Sequence, residues 1–130
     1  MNEIRTFGID RITDLSMGKL SKLKRKQFVK QLKEFENIIG LDFETKRPIK
    51  VRLQVNELHT KYMESLPLHH SQVIHSKNDN GQSLVDFFLV PNYEFITQVL
   101  KIGNQAVVLD PVKLREEIKL ILNKTLERYN

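Results

Sequence analysis

The chain has no cysteine and no tryptophan in its 130 residues, and little glycine or proline, five and four residues respectively. Without cysteine there can be no disulfide and no thiolate zinc site. The glycines, Gly8, Gly18, Gly40, Gly81 and Gly103, stand singly. That leaves no glycine-rich loop to cradle a phosphate, and neither G-x-S-x-G nor H-E-x-x-H occurs. No apolar run approaches the ~18 residues of a membrane span, and the N-terminus lacks the basic-then-apolar layout of a secretory leader. The expectation is a cytoplasmic, non-enzymatic protein without metal or cofactor and without a membrane partner. At this length it is one compact domain plus extensions.

What the chain does have is local charge. Its net charge is +5, yet "KLSKLKRKQFVKQLK", from Lys19 to Lys33, carries +7 with no acid, so the rest carries −2. Phe28, Leu32, Phe35 and Ile39 recur at helical spacing through this region, which predicts an amphipathic helix from about Leu23, capped by Gly40. Lys22, Lys26, Lys30 and Lys33 fall roughly opposite that apolar stripe.

Two other patterns alternate. "RTFGIDRI" places Arg5, Phe7, Ile9 and Arg11 on one parity, a strand that needs a partner to satisfy its backbone. "IKVRLQV" places Ile49, Val51, Leu53 and Val55 inward with Lys50, Arg52 and Gln54 outward. From there the order is strand, helix "NELHTKYMESL" with Asn56 as N-cap, strand "SQVIHSK", the turn "NDNG" and strand "SLVDFFLV". A helix capped by Asn92 and closed at Gly103, strand "AVVLD", and a last helix with Asp110 as N-cap and Pro111 at its first position complete the chain. Asn80-Gly81 is read as a tight hairpin with positive φ at both central residues. The fold expected is α+β: a ferredoxin-like βαββαβ sandwich with an N-terminal strand and helix and a C-terminal helix.

These pieces carry a resemblance. "RTFGIDRI" resembles the last strand of the WYL domain of bacterial transcriptional regulators. "VRLQV", "HHSQ", "NDNG" and "EFITQVLKIGNQAVVLDPVKLREEI", in that order, resemble the extension of those regulators called WCX. The resemblance implies three parts: 1–14 as the last strand of a truncated WYL-type barrel, 15–44 as linker and basic helix, and 45–130 as a WCX-like ferredoxin-fold domain. With no Trp, the Trp-Tyr-Leu motif that names the WYL family is absent, and so is the helix-turn-helix that precedes it. Gly8 also stands where a larger residue is common. The chain is therefore expected to be a C-terminal fragment, or the product of a gene start placed downstream of the true one. The function implied is effector sensing and dimerisation in such a regulator. The alternatives are a free-standing nucleic-acid-binding protein using the basic helix and a small ferredoxin-like hydrolase.

The candidate residues follow. Arg5 and Arg11 on one strand face could clamp phosphates, or Arg11 could pair with Asp10 or another surface acid. Lys22, Lys26, Lys30 and Lys33 could track a nucleic-acid backbone, or simply form a solvated helix face. His69, His70 and His75 lack an acid or Cys at ligand spacing, and on a strand His69 and His70 would point to opposite faces. "HHSQ" is thus expected to be structural, with His70 and Gln72 as polar groups available to a small ligand. Leu84, Phe88 and Val90 form an apolar outer face expected to pair with a second copy of the chain.

Overall fold

A computed structural model describes residues 5, 7–42 and 46–130. Four strands, β1 (Ile49–Val55), β2 (Val73–Ile74), β3 (Ser83–Leu89) and β4 (Ala106–Asp110), form one sheet in the order β2-β3-β1-β4, and every neighbouring pair is antiparallel. Helix α1 (Val29–Glu34) precedes the sheet; α2 (Glu57–Ser65) lies between β1 and β2, α3 (Tyr93–Ile102) between β3 and β4, and α4 (Val112–Glu127) follows. This is the ferredoxin-like α+β arrangement the sequence predicts.

The alternation in β1 and β3 decides which face the helices cover. Val51, Leu53 and Val55 stand opposite Phe87, Val85 and Ser83. These inward side chains join Val108, Met63 of α2, Phe95 and Val99 of α3, and Leu114 and Ile118 of α4 in one core. Phe87 and Phe95 meet edge to face, with centroids 5.7 Å apart, the geometry their quadrupoles favour. Asn56 and Asn92 cap α2 and α3 by accepting from the N–H groups of His59 at 2.9 Å and Phe95 at 3.0 Å. Among the described residues the other sheet face carries no helix.

Several local expectations differ from the structure. Ile9–Arg11 is a 3-10 turn closed by Arg11 N–H to Gly8 C=O at 3.1 Å and Ile12 N–H to Ile9 C=O at 3.2 Å. No strand runs beside it among the described residues, so the backbone is satisfied locally and the alternation buries nothing. The basic helix is broken into a 3-10 turn (Arg25–Phe28), the short α1, and a second 3-10 turn (Phe35–Asn37). Phe28 and Leu32 remain exposed and only the C-terminal end, at Ile38, is buried. A stripe without an opposing surface gives little to hold one long helix together.

In the hairpin, Gly81 alone has positive φ, at +72°, and its N–H reaches Asn78 C=O at 3.0 Å. The loop is therefore a four-residue turn ending in a left-handed glycine. Asn78 Oδ1 steadies it by accepting from the N–H groups of Asn80 and Gln82. Asp110 does not cap α4. It closes β4 opposite Arg52, where a bulge between Arg52 and Leu53 shifts the register, and Pro111 takes the cap position.

Candidate functional site

Two regions gather polar chemistry. The first is where the segment 36–42 meets the sheet end. His69 and His70 sit in the turn before β2, closed by Gln72 N–H to His69 C=O at 3.0 Å. They are not on a strand, so their rings do not diverge. They lie at a 36° tilt with centroids 4.2 Å apart, and both direct Nε2 at the Glu36 carbonyl, from 2.8 and 2.6 Å. Ser71 N–H donates to His69 Nδ1 at 3.2 Å, which makes Nδ1 an acceptor and places the proton on Nε2, facing the carbonyl. Ser71 Oγ lies 2.7 Å from that Nδ1 and accepts from Phe88 N–H at 2.9 Å. A hydrogen-bonded path thus runs from β3 to the docked segment. Burial pushes the His69 pKa below its ordinary value, the Glu36 carbonyl opposes the shift, and His70 adds to it.

Three further contacts fix the segment. Val90 N–H donates to Asn37 C=O at 2.7 Å. Asn92, fully buried, accepts the α3 cap bond with Oδ1 and donates from Nδ2 to the carbonyls of Ile39 and Asp42, both at 2.9 Å. Gly40 has φ +70°, and a Cβ there would overlap the Glu94 carboxylate.

The second region is the bare sheet face. Register places Val73, Asp86, Arg52 and Asp110 in one row across all four strands. Arg52 grips Asp86 with two parallel bonds, Nε to Oδ1 at 2.6 Å and Nη2 to Oδ2 at 2.8 Å. His75 Nε2 at 3.0 Å and Lys50 Nζ at 3.2 Å reach the same carboxylate. The Arg52 bonds hold the Asp86 pKa far below the carboxylate range; partial burial opposes this, and His75 and Lys50 reinforce it. Beside the row, Gln54 Nε2 donates to Gln82 Oε1 at 2.6 Å, and Phe88 is 55% exposed.

The WCX domain model matches residues 47–126, from just before β1 almost to the end of α4. The chain belongs to the WCX domain family. No curated protein matches the chain. The WCX domain is associated with WYL-type transcriptional regulators, and the docked segment 36–42 lies outside its matched part.

Along the chain the residues singled out from sequence are dispersed, some on the WCX domain and some before it. Arg5 and Arg11 are exposed, in coil and in the 3-10 turn, with no common strand face. Lys22, Lys26, Lys30 and Lys33 are exposed and form no ion pair among the described residues. His70 is turned to the Glu36 carbonyl. Gln72 uses both ends of its amide inside the chain, accepting from Leu68 N–H at 3.1 Å and donating to Met63 C=O at 2.8 Å. The expected apolar patch is smaller than three residues. Val90 lies past the end of β3 and is 2% exposed, held against the docked segment. Leu84 is half-buried, and Phe88 alone stands clear. Asp86 and Asn92 carry more of the polar structure than sequence reasoning assigned them. An acid within the apolar run "SLVDFFLV" was the available signal for Asp86.

Proposed function

We propose that this chain is a non-enzymatic regulatory module of a WYL-type transcriptional regulator. In this reading the WCX domain senses an effector, governs how two subunits pair, and passes its state to the segment on its N-terminal side. The observation that carries the reading is the tie between Asn92 and Ile39, residues 53 apart in the chain. A domain carried on a slack tether has no need of a buried amide spanning that separation. A domain that relays its state does, because a relay requires an element with defined docked and undocked arrangements. Pairing is assigned to the bare sheet face around Phe88 and Leu84, where apolar surface is available beside the charged row.

Asn92→Asp tests the relay. The carboxylate still caps α3 but cannot donate to the carbonyls of Ile39 and Asp42. Amide hydrogen exchange is expected to be slow at Val90 in the wild-type chain and at least about tenfold faster in the variant, with Phe87 unchanged. The variant is also expected to shift the concentration at which the chain associates. Fast exchange at Val90 in the wild type, or association indifferent to undocking, would contradict the relay.

A second reading draws on the four exposed lysines that form no ion pair among the described residues: the basic segment contacts a nucleic-acid backbone by releasing counterions. Salt-dependent binding of single strands by this chain alone would favour it.

A further inference from the structure

Between α3, α4 and the edge strand β4 lies a groove of about 560 Å³. Its floor is made by Val99, Val108 and Ile118, all buried, and its outer wall by Leu122, which is half-exposed. The polar side chains at its rim are neutral amides and two cations, Arg115 and Lys119, and no acid lines it among the described residues. Lys119 is 3.8 Å from Glu116 on its own helix, whereas Arg115 forms no ion pair among the described residues. Arg115 and Lys119 are four residues apart on α4 and so present their charges on one side of the groove.

The geometry points to a binding site for an amphiphilic carboxylate, an anion with an aliphatic body the size of a medium-chain fatty acid. The volume falls within the range of small-molecule sites, and the lining has their usual make-up, mostly apolar with a few placed polar groups. The sign of the rim selects the head group. An apolar body seated on Val99, Val108 and Ile118 brings a carboxylate up to a guanidinium free to meet it in two parallel bonds. A cationic amphiphile would meet like charge at the same place, and a neutral one would gain no charge-assisted bond from the guanidinium. The groove rests on the reading of the chain as a sensor only in naming this ligand an effector; the site itself follows from its lining.

Isothermal titration of the full chain with decanoate, below its micellar concentration, tests the site. Saturable binding of one equivalent is expected, about two- to fivefold weaker in Arg115→Gln, because a charge-assisted bond at an exposed rim is lost. Leu122→Glu, which sets a negative charge on the wall, is expected to weaken it similarly. Both positions are exposed, so each variant should keep the wild-type thermal transition. Decanol is expected to bind less tightly than decanoate. Absence of saturable heat, equal affinity in Arg115→Gln, or equal affinity for decanol would overturn the proposal. So would a dimer that decanoate cannot dissociate and that Leu122→Glu abolishes, since a second copy would then fill the groove. Binding that leaves the sedimentation of the chain unchanged would uphold the site and remove the effector reading. Association that proceeds normally in a chain giving no heat would remove the site and leave the pairing reading standing.

Discussion

Arg52 and Asp86 are register partners on β1 and β3 and meet through two bonds of 2.6 and 2.8 Å on the sheet face opposite the helices of the core. The pair ties the two central strands together on the side opposite the core. With Asp110 as the next register partner of Arg52, it sets a charged row beside Phe88.

Replacing Asp86 with Asn removes the anion while keeping its shape, leaving Arg52, Lys50 and His75 without their shared partner. The expected result is a fall in Tm of roughly 5 °C, from the loss of charge-assisted bonds. The pH dependence has a definite sign. Asp86 has a depressed pKa in the fold, so its contribution is complete above the ordinary carboxylate value of 3.8 and is lost as pH falls toward the folded value. Thermal melts on the acid side should therefore be flatter in Asp86→Asn than in the wild type.

His69 predicts a second pH effect at a different range. Its folded pKa lies below the ordinary 6.5, so the unfolded chain takes up the proton first. Its contribution to stability is complete above that value and is lost as pH falls through the depressed folded value. Protonation would put a donor on Nδ1 against the Ser71 N–H and add charge beside His70. Melts from about pH 7.5 to about pH 5 should drop more steeply in the wild type than in His69→Gln. Parallel curves would show that His69 is not what titrates.

The basic segment gives a third expectation. If the lysines contact a nucleic-acid backbone, changing Lys26, Lys30 and Lys33 to Gln weakens binding to every sequence similarly. The slope of log affinity against log salt should fall in magnitude by at most about three. A loss confined to one sequence would count against backbone contact.

The sandwich was legible because its signals are local. Period-two alternation in "IKVRLQV" fixed which face of β1 is buried, and Asn56 and Asn92 cap helices through bonds that span only three residues. The second role of Asn92 was hidden, since the carbonyls of Ile39 and Asp42 come from another part of the chain. The same limit explains Val90, whose exposure depended on whether the segment at Asn37 folds back over it. "RTFGIDRI" misled in the opposite sense. Alternation states which face a strand would bury, but pairing decides whether a strand forms, and Ile9–Arg11 turns on itself instead. The charged row was half visible: Lys50 and Arg52 were placed outward correctly, but Asp86 needed the β1–β3 register to join them.

The proposal that this WCX chain pairs with a second copy is tested most directly by sedimentation equilibrium across a concentration series. A reversible dimer is predicted, shifted toward the 15.3 kDa monomer by Phe88→Glu, which places a charge on the bare sheet face. A single 15.3 kDa species persisting to high micromolar concentration would contradict the account.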